Sequence, residues 1–189
     1  MNRRYFQKFQ IKDVVFLAIM SAVALATCAV MPLVISLQPL IFGISQLVTA
    51  LQIGVFFAIG LYKVRKPGSL LIMALMMGLI QLMMSPPMFL SSVLNGVLIE
   101  LIVLLLFRGY EKDSAVFCAA MLHTPLSLPF NYLYNRLIKG ADSPLAAVAD
   151  RAPLAAVGMT LAVVAVSALG ALIGIKIARE LKKSGVLKK

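Results

Sequence analysis

Residues 88–107 read MFLSSVLNGVLIELIVLLLF, and Glu100 is the one ionisable side chain in the run. An α-helix rises 1.5 Å per residue, so this stretch is about 30 Å long as a helix, the thickness of a bilayer's hydrocarbon core. Nothing in it suggests a surface that water would wet.

The pattern repeats outward in both directions. Toward the N-terminus lie apolar stretches at about Val14–Leu37, which ends before Pro39, at Leu40–Tyr62 and at Pro67–Met84. Pro86 and Pro87 mark the turn before the central run. Toward the C-terminus lie about Ser114–Leu137, bearing Pro125 and Pro129, and Pro153–Ile177. The sequence therefore predicts an all-α integral membrane bundle of six transmembrane helices, one domain over residues 1–189. A basic segment at 1–12 and a basic tail at 178–189 flank it.

Composition agrees. Hydrophobic residues make up 61% of the chain and charged residues only 13%, against about 25% charged in soluble domains, so lipid has to be the solvent. The mean hydropathy is +0.98. The net charge of +11 has a topological reading rather than a nucleic-acid one. Arg3, Arg4, Lys8 and Lys12 precede the first span. Lys63, Arg65 and Lys66 lie between the second and third, Arg108 and Lys112 between the fourth and fifth, and Lys176, Arg179, Lys182, Lys183, Lys188 and Lys189 close the chain. Arg136, Lys139 and Arg151 fall in the fifth connection, and the first and third have no basic residue. The positive-inside rule then places both termini in the cytoplasm, in a multi-pass protein of the bacterial cytoplasmic membrane. Excess charge can also hold anionic headgroups. The fifth connection, Leu137–Ala152, is the outer loop long enough to act as a lid.

Cys28 and Cys118 sit in apolar runs without CxxC spacing and read as small buried hydrophobes. No cleavable signal peptide is evident. The P-loop, HExxH and GxSxG motifs are missing, so neither ATP hydrolysis nor intramembrane hydrolysis is expected, and no metal or cofactor is called for. Polarity concentrated toward one side suits a binding cup better than a pore. A clear inverted repeat is also missing, which weighs against an independent secondary transporter.

Polar residues inside spans need a reason. Gln81, Asn95, Asn131 and Asn135 fall in the predicted outer halves of their helices, and Asn131 and Asn135 share a face at i, i+4. With Tyr134 they suggest a substrate pocket open to the outside, in a helix whose prolines free backbone carbonyls. Gln46 and Gln52 read as interhelical hydrogen-bonding residues. Glu100, midway along the fourth span, fits a ligand contact, a proton carrier or a protonated acid held by a neighbour. His123, the only histidine, reads first as a side chain satisfied by a backbone carbonyl, with ligand contact and axial haem ligation as alternatives. Ala18, Ala22 and Ala26 form a small-residue stripe at spacing four, suited to close approach by another helix. The run Ala165, Ala168, Gly170, Ala171 and Gly174 reads as packing within the bundle.

Several of these features together resemble the S components of energy-coupling factor (ECF) transporters, the substrate-binding membrane subunits of vitamin importers. The layout is similar. Ala18 and Ala22, extended by Ala26, match the first-helix alanine motif of that family. Arg65-Lys66-Pro67-Gly68, and Asn95-Gly96 followed by Glu100, resemble strings in the branch that takes hydroxymethylpyrimidine, a thiamine precursor. The chain departs from that branch at Gln81, where a glutamate is expected, and in having no tryptophan. Asn2 after Met1 departs from the Met-His start of metal-specific S components.

The resemblance implies a non-enzymatic subunit that captures a vitamin or related micronutrient from outside. Gln81, Asn95, Glu100, His123, Asn131, Tyr134 and Asn135 would line its site. Ala18, Ala22 and Ala26 would dock on a transmembrane coupling subunit driven by two ATPases, the whole subunit toppling in the bilayer to deliver its cargo. The alternatives are a self-contained carrier, proton-coupled through Glu100, a haem-binding S component, and a structural membrane protein without a ligand.

Overall fold

A computed structural model of the chain describes residues 8–28, 33–34, 36–140 and 143–185. Arg3, Arg4, Asp142, Lys188 and Lys189 lie outside the described residues, as do positions 29–32 and 35 of the first expected span. The described residues form seven helices and no strands. These are α1 (Ile11–Thr27), α2 (Ile44–Val64), α3 (Ser69–Leu82), α4 (Pro86–Phe107), α5 (Asp113–Leu137), α6 (Pro144–Arg151) and α7 (Pro153–Lys183).

Two differences from expectation stand out. The first apolar stretch is helical for 17 residues and does not continue as one helix to Leu37. The Thr27 hydroxyl donates to the Ala24 carbonyl at 2.8 Å and the Cys28 N–H to Leu25 O at 2.9 Å, a tightened last turn that satisfies orphan carbonyls. Residues 36–43 form turns. In the fifth connection, the segment expected to be a loop contains α6. Pro144 occupies its first turn, where a missing N–H costs nothing, and the Ser143 hydroxyl accepts the Ala146 N–H at 3.4 Å.

By length and composition α2, α4 and α7 can each cross a membrane. α3 is apolar but has only 14 residues, and α5 is long but carries polar residues. Leu105 and Leu154 are 81% and 88% exposed, as side chains are when lipid rather than protein covers them.

α2 is the central stave and packs on α1, α3, α5 and α7. Its seam with α7 needs glycine. A Cβ on Gly170 would fall 2.5 Å from Leu51 O, and one on Gly174 would strike the Val55 carbonyl. This small-residue run does pack within the bundle, chiefly through Gly170, Ala171 and Gly174, while Ala165 faces outward.

Pro125 explains a second tie. It has no N–H to give Met121 O, and Ser167 of α7 donates its hydroxyl to that carbonyl at 2.7 Å instead. On the other side, the Ser21 hydroxyl of α1 lies 3.1 Å from Met73 O of α3.

One end of the bundle collects the basic connections. Lys66 pairs with Asp13 at 2.6 Å, and Asp113 pairs with both Arg65 and Arg179, the latter at 2.7 Å. Burial alone would raise the Asp113 carboxyl, which precedes the apolar stretch of α5. Hydrogen bonds and charge from Arg179 and Arg65 outweigh burial and hold it below its ordinary value. The network ties the ends of α2, α5 and α7 and the start of α1 together.

Candidate functional site

At the opposite end, α2, α3, α4 and α5 diverge around a cavity of about 130 Å³, with Leu145 of α6 at its wall. Its wall runs from Gln38, Gln81 and Asn135 inward to Asn95, His123 and Thr124. From Asn135 to His123 the α5 wall covers about 18 Å of helix rise.

The deep wall is where the chemistry concentrates. Asn95, His123 and Thr124 are 1%, 4% and 3% exposed, so nearly all of each side chain is out of solvent. Asn95 Oδ1, Thr124 Oγ1 and both imidazole nitrogens of His123 have no hydrogen-bond partner in the protein. Buried polar groups are usually paired because an unpaired one costs about 1–3 kcal/mol, so four such atoms at one cavity mark a place built for something else to bond. The expectation that a backbone carbonyl satisfies His123 does not hold. Its ring instead stacks against Phe57 of α2, centroids 4.4 Å apart and tilted by 47°.

Local turns of sequence set the remaining wall. Asn131 and Asn135 both face the cavity from α5, and the Asn135 amide donates to the Asn131 carbonyl at 2.8 Å. Gln46 lines the cavity too, which corrects its reading as an interhelical glutamine. Its Oε1 accepts from Ser45 Oγ of the same helix at 2.8 Å, and Gln38 in turn donates to Ser45 Oγ. Gln52 Oε1 is buried without a partner, so it makes no interhelical bond through that atom. Ser45, Thr49, Ser91, Ser92, Thr124 and Ser127 complete the polar lining. Sequence reading passed over them because serine and threonine are common in membrane helices and bond their own helix, as Thr49 does with Ser45 O at 2.9 Å.

Beside the mouth of the cavity, α6 is tied to α5. Asp150 of α6 takes Arg136 of α5 at 2.9 Å, and the Tyr132 hydroxyl donates to the same carboxylate at 2.7 Å.

Known proteins resemble this arrangement. The family described as "Hypothetical bacterial integral membrane protein (Trep_Strep)" matches residues 11–183. The chain belongs to the Trep_Strep family. Among solved structures, one entitled "Crystal structure of an S-component of ECF transporter" superposes with a TM-score of 0.64 over 95% of this chain and 89% of that one, at 21% identity. The Trep_Strep chain thus shares the S-component fold. No curated protein matches it.

Two expected site residues of this Trep_Strep protein lie apart from the cavity. Glu100 sits near the basic end. Its carboxylate accepts the Gly68 N–H at 2.6 Å and the Tyr110 hydroxyl at 2.9 Å. Gly68 holds φ +92° at the N-terminus of α3, a conformation suited to glycine, and its N–H, which has no partner within the helix, is met by that carboxylate. Tyr134, about one turn from Asn131, points off the cavity face and carries Lys139 Nζ 5.8 Å above its ring. On α1, Ala22 and Ala26 are exposed and Ala18 half-buried, on a face that also shows Ile11, Val15 and Ile19. The opposite face buries Leu17, Ser21 and Ala24. No described residues cluster as metal ligands.

Proposed function

We propose that this Trep_Strep protein is the substrate-binding S component of an ECF-type importer. It crosses the membrane six times with both termini in the cytoplasm, captures a vitamin or related micronutrient from outside, and docks on a coupling subunit that carries two ATPases. The observation that carries the reading is the cavity. It opens at the end of the bundle away from the basic connections, which the positive-inside rule assigns to the outside, and four unpartnered polar atoms line its deep wall. The S-component fold and the unfilled alanine face of α1 support it.

A proton-coupled carrier draws no support from Glu100, whose carboxylate is not in the cavity's lining and is engaged by Gly68 and Tyr110. Nor does a haem fit well. The cavity of about 130 Å³ falls below the roughly 300–1,000 Å³ typical of drug-sized ligands, so a compact molecule suits it and a macrocycle does not.

Reconstitution with an ECF coupling subunit and its two ATPases in liposomes tests the proposal. The expected result is vitamin uptake that requires both ATP and this chain. Uptake by the chain alone, driven by a proton gradient, would overturn it.

A further inference from the structure

Among the described residues the cavity's lining carries no counter-charge: none of them is Asp, Glu, Lys or Arg, and His123 is the one titratable side chain. That imidazole is enclosed against Phe57, with no carboxylate in the lining to stabilise a proton on it, so it stands neutral, one nitrogen donating and the other accepting. Of the described ions at this end, Arg136 pairs with Asp150, Lys139 lies over Tyr134 and Arg151 is exposed, and none of the four is in the lining.

From this we infer that the ligand is uncharged: a compact molecule with a hydrogen-bond donor and acceptor on one edge, of the amide or lactam kind. The inference rests on the proposed substrate-binding role and narrows it. Asn95 Oδ1 takes an N–H or O–H from the ligand, the neutral His123 gives one hydrogen bond and takes another, and the Thr124 hydroxyl serves either way. Ile53 and Met77 supply apolar wall beside these groups. A carboxylate or phosphate would give up its hydration with no cation to replace it, and an ammonium or thiazolium would meet no anion. A neutral heteroatom edge loses much weaker hydration and regains it from the deep wall.

The test uses the full chain in phosphatidylcholine nanodiscs. Calorimetric titration compares uncharged compounds with charged counterparts of the same skeleton: nicotinamide with nicotinate, and uracil with orotate. The expected result is that at least one uncharged compound binds about tenfold or more tightly than its counterpart. Asn95→Leu or the near-isosteric Thr124→Val then weakens that binding about tenfold, with an unchanged circular-dichroism spectrum. A charged compound binding as tightly as its uncharged twin overturns the inference, and so does the failure of every uncharged compound to bind. The two readings fail separately. Charged cargo delivered by ATP-dependent uptake removes only the ligand class, whereas uncharged cargo bound without coupling to ATP removes only the importer.

Discussion

The Glu100 carboxylate of α4 accepts the backbone N–H of Gly68, at the N-terminus of α3, over 2.6 Å. Of the roles the sequence left open, ligand contact, proton carrier or an acid held by a neighbour, this acid fits the last through its bonds. It caps one helix from another and holds the Tyr110 hydroxyl as well. Glu100→Gln should lower stability by about 1.5–3 kcal/mol, the worth of hydrogen bonds to a charged group. Ligand affinity should stay unchanged, because Glu100 is not in the cavity's lining and its partners are Gly68 and Tyr110. Thermal unfolding and titration on the same sample check this. Lost uptake with intact stability would return Glu100 to the role of proton carrier.

Ala22 and Ala26 are exposed on the face of α1 opposite Leu17, Ser21 and Ala24. Ala22→Leu or Ala26→Leu should leave melting temperature and ligand binding as they are. Co-purification with a coupling subunit, and uptake, should be lost. Equal loss of binding would show that the stripe serves the fold of this chain.

Asn131→Leu and Asn135→Leu should each weaken ligand binding by about tenfold. The change is felt at the cavity wall, so the far-ultraviolet spectrum should not move. Unchanged affinity in both variants removes the outer part of the wall from the site.

The Arg136–Asp150 pair is half-exposed, and such pairs add about 0–1 kcal/mol to stability. Because it ties α6 to α5, we expect its effect on ligand exchange rather than on stability. Arg136→Ala should leave the melting temperature nearly constant and speed ligand release several-fold in stopped-flow exchange. A release rate equal to that of the unaltered protein means that α6 does not gate the cavity.

Ser167→Ala should cost about 1–3 kcal/mol, because it orphans the Met121 carbonyl that Pro125 already denies a helical partner. In a Pro125→Ala background the restored N–H takes that carbonyl, and the same substitution should cost little. A double-mutant cycle with no coupling would refute the link.

The four helices from Ile44 to Leu137 were legible in the sequence to within a few residues, because long apolar runs between charged or proline-bearing connections leave the chain few options in lipid; α6 was read as a loop, and the last helix runs on to Lys183, past the expected Ile177. α1 was not so legible, since apolar composition continues past Thr27 and only local hydrogen bonding ends the helix there. Within the cavity, Gln81, Asn95, His123, Asn131 and Asn135 come together as neighbours on four-sided walls. Glu100 and Tyr134 do not, for different reasons. Glu100 lies at a depth that sequence spacing alone misjudged, and its partner Gly68 is a backbone group in another connection. Tyr134 is one position from the inward face of α5, where a shift of one residue turns a side chain by about 100°. The Ser45–Gln46–Gln38 chain depends on the turn at residues 36–43, which no periodicity announces.

The 14 residues of α3 rise about 21 Å, well short of a bilayer's roughly 30 Å hydrocarbon core. If α3 is one of six spans, as proposed, lipid beside it would compress to meet it and the bilayer would be thinnest along that flank. A membrane-embedded body with one short flank sits in an uneven elastic field. Tilting toward that flank relieves the mismatch, and the host membrane's own thickness becomes a setting for how readily the protein leans.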